Sequence, residues 1–350
     1  MRNSISRAVG GAAKVGFVIP PPRSQAAMSS TSDAPHLPQR STRRGPLIAI
    51  VAVAIVVVIA VVVAIIVNIA KPADAAGASR SAGTPTTVSI GVSDASQPYW
   101  QVYSALAKKK LGVTVKLVNF SDYSQPNPAL AQKQTDLNSF QHVEFLAVYN
   151  VTNHQDLQPI GATVTVPLPL YSLRYSSVSA LPANAKIAIP NDQVNQARGL
   201  LVLQSAGLVT LRDGGTAFST INDVVSKKVE ISTVDAAQTA GALQSGSVDA
   251  AIINNNFATA AKLPTGDRIA KDDPSSSAAR NYVNFFAARK ADAKNPLYLK
   301  LAALYHDPSV EKAVQEADGG VAVFSDATAA QLQAQLKKTE ADARAAGVGK

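Results

Sequence analysis

Residues 47–67 read LIAIVAVAIVVVIAVVVAIIV, 21 consecutive apolar residues. As a helix rising about 1.5 Å per residue, the run spans roughly 30 Å, the thickness of a bilayer's hydrocarbon core. A secretory signal has a shorter apolar stretch, and its leading segment is not usually 45 residues long. The run is therefore expected to be a retained anchor, residues 46–70, with cleavage after Ala-Asp-Ala at 73–75 as the alternative. Arg40, Arg43 and Arg44 precede it and Lys71 follows it. The larger positive cluster stays on the cytoplasmic side. The expected topology is single-pass in the cell membrane, N-terminus cytoplasmic and residues 71–350 extracytoplasmic.

That topology explains the net charge of +9. Residues 1–45 carry seven basic residues and one acidic one, against 26 and 23 in residues 71–350. The excess sits mainly in the tail, which argues against a nucleic acid as partner of the globular part. The tail is rich in Ser, Pro and Arg without periodicity and reads as a disordered cytoplasmic segment. Residues 71–86 form an Ala/Gly/Ser-rich tether. No cysteine is present. Disulfides, thiolate chemistry and a lipidated N-terminal cysteine are thereby excluded.

From Thr87 to Lys350, strand and helix signals alternate. TVSIGV (87–92) is a strand, YWQVYSALAKKKLG (99–112) a helix stopping at glycine, and VTVKLVNF (113–120) a second strand. A short helix at 126–134 leads into a third strand near TDLNSF. KIAIP (186–190) is a strand, followed by an Asn- or Asp-capped helix that stops at Gly207. KVEISTV (228–234), a helix at 236–245 and VDAAIIN (248–254) follow. This alternation predicts an α/β fold with a mainly parallel, doubly wound sheet. ALAQKQTDLNSF (129–140) and ALQSGSVDAAIINNNF (242–257) echo each other, with Asp136 and Asp249 at matching helix-to-strand junctions. Two similar lobes with a ligand at the carboxyl ends of their strands are one consequence. VTVPLPLYS (164–172) suits a crossing between lobes, and LKKTEADARAAG near the C-terminus an exposed amphipathic helix. Trp100, the single tryptophan, falls in the first strand-helix region.

The four histidines, at 36, 142, 154 and 306, have no metal-ligand spacing. No G-x-S-x-G elbow is present. No catalytic residue, metal site or cofactor is therefore assigned. His142, between Phe140 and Phe145, is either a core histidine or a pocket residue. Arg198, in the second turn of the helix after KIAIP, can hold a carboxylate or be a solvated surface arginine. The three consecutive asparagines of IINNNFA (252–258), Asn254, Asn255 and Asn256, each offer both a donor and an acceptor, or at least two of them simply make a turn. Asn284 interrupts an apolar strand in NYVNFFAAR and needs a partner there.

Five stretches in order, VNFSDYSQPNPAL (118–130), DLNSFQH, AIPNDQVNQARGLLVLQSAGLVTLRDG, AIINNNFA and NYVNFFAAR, resemble the NlpA-type, methionine-binding family of ABC-transporter substrate-binding proteins. The resemblance spans about residues 87–290. It implies a two-lobed, periplasmic-binding-protein-like (type II) fold with the cleft between lobes. Lobe 1 is expected over about 87–168 plus the part from about 285, and lobe 2 over about 169–284. It implies further that Tyr123, Phe140 and His142 enclose a methionine side chain, that Arg198 grips the carboxylate, and that Asn254 and Asn284 hold the amino-acid head group. Phe145 stands where the family often has tyrosine, losing a hydroxyl and keeping a flat wall for a thioether. The expected function is a membrane-anchored receptor, not an enzyme, that delivers methionine to an ABC permease and its ATPase. The alternatives are another apolar amino acid or short peptide as ligand, or a surface sensor that does not transport.

Overall fold

The computed structural model describes residues 86–350. The expected tail, membrane anchor and nearly all of the tether lie outside the described residues. Among those described, no helix is long and apolar enough to cross a membrane.

The chain opens with β1 (Thr87–Val92), α1 (Tyr99–Leu111) and β2 (Thr114–Asn119). α1 stops at Gly112, whose φ of 69° is left-handed, and Lys108, Lys109 and Lys110 face the negative end of its dipole. α2 (Pro126–Ala131), β3 (Leu137–Asn138), α3 (Val143–Asn153) and β4 (Gln158–Ala162) complete the first half. The chain crosses through β5 (Val164–Thr165) to β6 (Pro169–Tyr171), β7 (Lys186–Pro190) and α4 (Gln193–Ser205). Asp192 caps α4 by accepting from Asn195 N at 2.9 Å, and Gly207 (φ 72°) follows its end. Then come β8 (Val209–Leu211), β9 (Val224–Lys227), β10 (Glu230–Val234), α5 (Thr239–Gln244), β11 (Ala250–Ile252), α6 (Asn255–Ala260) and β12 (Arg268–Lys271). The return crossing leads to β13 (Phe285–Ala288), α7 (Pro296–Ala303), α8 (Pro308–Ala317), β14 (Val323–Phe324) and α9 (Ala329–Ala345).

Two five-stranded sheets result, ordered β2-β1-β3-β13-β4 and β10-β7-β11-β6-β12. In each, four strands point the same way and one runs against them. The mainly parallel, doubly wound sheet expected from the alternation is therefore a pair of mixed sheets. β6 and β13, the strands on which the chain enters each sheet from a crossing, run antiparallel to their neighbours. The two sheets follow one plan: among the three strands of each that pair in parallel, the first (β1, β7) lies between the second (β2, β10) and the third (β3, β11).

The echo around Asp136 and Asp249 has a physical basis. Asp136 accepts from Ser89 N at 2.7 Å and returns its own N–H to Ser89 O at 3.0 Å. Asp249 does the same with Lys186 N and O, both at 2.8 Å. In each lobe an aspartate closes the ladder at the start of the central strand.

Trp100, Tyr103, Phe286 and Tyr305 pack ring to ring in the core of lobe 1, with centroids 5.4–6.4 Å apart. Ile187, Ile189, Leu200, Leu203 and Ile252 fill lobe 2. α9 is amphipathic as expected but not merely exposed: Leu332, Leu336, Thr339 and Ala343 are buried. The helix expected at 236–245 is a 3-10 turn at Ala236–Gln238 followed by α5. The third strand is only two residues long.

Candidate functional site

Loops at the carboxyl ends of both sets of parallel strands enclose a cavity of about 120 Å³, lined from both lobes. All seven sequence-selected residues line it: Tyr123, Phe140, His142, Phe145, Arg198, Asn254 and Asn284.

Lobe 1 supplies an aromatic wall. Tyr123, in the loop after β2, lies 6.1 Å from both Phe140 and Phe145, which are 5.8 Å from each other. Phe257 of lobe 2 approaches Tyr123 to 5.1 Å. His142 is the N-cap of α3, where its Nδ1 accepts weakly from Phe145 N at 3.4 Å. Nε2 therefore carries the proton of the neutral ring. Burial, and then the charge of Arg198, hold the imidazole well below its ordinary pKa, so it is neutral at pH 7. Its backbone pairs with Asn284 as a single antiparallel bridge.

Arg198 is buried, at 5% exposure, and is not the solvated arginine its helix position also allowed. Nε donates to Asp272 Oδ2 at 2.7 Å and Nη2 to Val166 O at 2.9 Å. The Tyr282 ring lies 4.1 Å from its Cζ. Asn254 precedes α6 without capping it; its Nδ2 donates to Asn195 Oδ1 at 2.8 Å. Its Oδ1 is buried and unpartnered among the described residues. Asn284 precedes β13 rather than interrupting it, and its Nδ2 donates to Val164 O at 3.0 Å.

Asp94 and Asp318 mark another part of the cavity wall. Asp94 accepts from the Tyr99 hydroxyl and from Trp100 Nε1, the latter at 2.8 Å. Trp100 thus belongs both to the core and to the lining. Burial raises the carboxyl of Asp94, against these hydrogen bonds. Burial and then Asp94 push Asp318 up to about 7. Asp318 accepts from Asn255 Nδ2 at 2.7 Å, across the cleft. Among the described residues no group of three His, Asp or Glu is placed to hold a metal ion.

The residue-level reading missed Asp94, Asn195, Asp272, Tyr282 and Asp318. Asn195 and Tyr282 stand inside recognised stretches, PNDQVNQAR and NYVNFFAAR, and that was their available signal. The others carry no local pattern.

The cavity takes a small molecule and asks three things of it. The guanidinium asks for an anion. The unpartnered Asn254 oxygen asks for a donor. The ring wall asks for an apolar group.

Comparison with known proteins gives these features company. Residues 88–325 match the NlpA lipoprotein family. The D-methionine-binding lipoprotein MetQ of Yersinia pestis is 33% identical over 243 residues, 68% of this chain and 88% of that protein. The probable D-methionine-binding lipoprotein MetQ of Vibrio cholerae is 35% identical over 252 residues, 71% of this chain and 91% of that one. Protein PG110 from Staphylococcus aureus superposes with a TM-score of 0.67 at 36% identity, covering 73% of this chain and 99% of PG110. A nutrient binding protein from Burkholderia cenocepacia, solved bound to methionine, gives 0.62 at 36% identity, with 68% and 99% covered.

Proposed function

The chain belongs to the NlpA lipoprotein family, and on that premise we propose that it is a solute-binding receptor that captures methionine outside the cytoplasm and hands it to an ABC importer. Its activity is binding, not catalysis. One observation carries the reading: a buried arginine, a buried amide oxygen without a partner among the described residues and an apolar ring wall line one small cavity. An α-amino acid with an unbranched apolar side chain satisfies all three. Relatives and solved neighbours named for methionine support that choice over another amino acid or a non-transporting sensor.

In this reading Arg198 holds the carboxylate. Asn254 Oδ1 accepts from the ammonium, and Asn284 also holds the head group. Tyr123, Phe140 and Phe145 enclose the side chain, and His142 offers Nε2–H to the polarisable thioether. Lobe 1 (87–168 with 285–350) and lobe 2 (169–284) close on the ligand, which favours the closed form by its differential affinity.

The relatives are lipoproteins by name, and this chain has no cysteine to acylate. The apolar run at 47–67 replaces the lipid as a single-pass anchor, with the N-terminus cytoplasmic. The tether that follows reaches roughly 20 Å by coil scaling, which keeps the receptor concentrated near its permease. Resistance of membrane-bound protein to alkaline extraction, with the binding domain digested by protease added outside cells, tests this placement.

The deciding experiment is calorimetry on the full chain in detergent, stripped of ligand by partial unfolding and dialysis. It is titrated with L-methionine, D-methionine and a panel of other amino acids. Selective micromolar or tighter binding of methionine is expected. A folded sample silent to both enantiomers refutes the proposal.

A further inference from the structure

Arg198 makes more contacts than a ligand anchor requires, and they come from the two segments that join the lobes. Asp272 is the first residue after β12, where the chain starts back toward lobe 1. Both of its oxygens are engaged: Oδ2 accepts from Arg198 Nε at 2.7 Å, and Oδ1 accepts from Leu168 N, on the outward crossing, at 2.7 Å. Arg198 Nη2 reaches Val166 O on that same crossing. Tyr282, further along the return crossing, covers the guanidinium face.

A guanidinium is planar and rigid. With Nε and Nη2 engaged and one face covered, the direction of Nη1 is fixed. Among the described residues Nη1 has no acceptor, and the Nε edge already belongs to Asp272. The free N–H groups are the two of Nη1 and the second one of Nη2, so a ligand carboxylate is taken on the edge that Nη1 leads.

We propose that Asp272 is a positioning residue of the binding site: it sets the orientation in which Arg198 presents Nη1 to a ligand carboxylate, and in the same contacts ties both interlobe crossings to α4. This rests on the reading of Arg198 given above. Asp272 also has an opposing effect, because its negative charge weakens the attraction of Arg198 for a second anion. The two effects predict opposite outcomes when the charge is removed. Loss of orientation lowers the preference for a ligand with a carboxylate; loss of competing charge raises it.

The test compares L-methionine with L-methioninamide, which differ only at the carboxylate, on the full chain in detergent by calorimetry. Wild type is expected to prefer methionine at least about tenfold, the worth of one charge-assisted hydrogen bond. In Asp272→Asn that preference shrinks by about tenfold. In Asp272→Glu, which keeps the charge on a longer arm, it shrinks less. A purely structural residue weakens both ligands equally and leaves the ratio alone. An unchanged or widened preference in a cooperatively melting Asp272→Asn sample overturns the inference. If that variant does not fold, Asp272→Glu decides: a narrowed ratio supports the inference and an unchanged ratio overturns it. A wild type without any preference overturns the role of Arg198, and the inference with it, even where methionine itself binds.

Discussion

The hydroxyl of Tyr123, on lobe 1, donates to Oδ1 of Asn256, on lobe 2. The same asparagine reaches back across the cleft with Nδ2 toward Ser93 O and Oγ, at 3.5 and 3.4 Å. Asn255 makes the neighbouring crossing to Asp318. Two successive residues at the start of α6 therefore tie the lobes together around the cavity.

Asn256→Ala removes one good hydrogen bond and two long ones. A neutral hydrogen bond is worth a net ~0.5–1.5 kcal/mol, so methionine affinity is expected to fall roughly 3- to 10-fold. The loss should appear in the dissociation rate, because an unlatched cleft opens more often. Tyr123→Phe, which keeps the ring, should reproduce most of it. Stopped-flow release followed by Trp100 fluorescence checks this. A Tyr123→Phe protein that releases ligand at the wild-type rate contradicts the latch.

Arg198→Ala is expected to weaken methionine binding by about 2–5 kcal/mol, by analogy with buried charge pairs that lose one partner. It also strands Asp272, whose side chain is 24% exposed. The fold should lose roughly 1–3 kcal/mol, between the small worth of an exposed pair and the larger cost at a fully buried one. Calorimetry and thermal melting separate the two. A change of less than tenfold in affinity in a folded sample removes Arg198 from the carboxylate.

Glu144 is fully buried in the first turn of α3. Its Oε2 accepts from Asn281 Nδ2 at 2.8 Å, and its Oε1 has no partner among the described residues. Burial, and to a lesser extent Asp342, raise its carboxyl to about 7, against the Asn281 hydrogen bond and Lys338. The folded pKa lies above the unfolded one, so the native state binds the extra proton. The contribution is present below about 4.5 and is lost as pH rises through about 7. Glu144→Gln keeps the shape and the Asn281 contact without the titration. It is expected to stabilise the protein at pH 8 by an amount on the order of 3 kcal/mol. It should also flatten the stability profile between pH 5 and 8. Urea melts across that range measure it; equal stability of the two proteins at pH 8 contradicts the assignment.

His142 acts in the other direction. Its folded pKa is depressed, so stability is full above the unfolded value of 6.5 and declines as pH falls toward the folded pKa. In Glu144→Gln this acid-side loss is left more visible.

The sequence by itself determined what depends on neighbours along the chain. Gly112 and Gly207 stop helices because only a left-handed residue closes those turns cheaply, and Asp192 caps α4 because its carboxylate lies three residues from the N–H it accepts. The matched Asp136 and Asp249 showed two lobes of one plan, since each repeats the same ladder closure in its own sheet. The site residues were legible as a set because the recognised stretches hold them in order. Their partners were not. Arg198 and Asp272 are 74 positions apart, and Tyr123 and Asn256 are 133 apart. Asn284 reads as a strand residue until the crossing brings Val164 O beside it. Glu144 carries no local signal of its burial, which comes from distant segments including Asn281. Which polar group meets which, and which is left buried without a partner, depends on where two sheets and two crossings place distant segments. Tertiary packing alone made that choice, because a buried polar group takes whatever donor or acceptor the folded chain brings within about 3 Å.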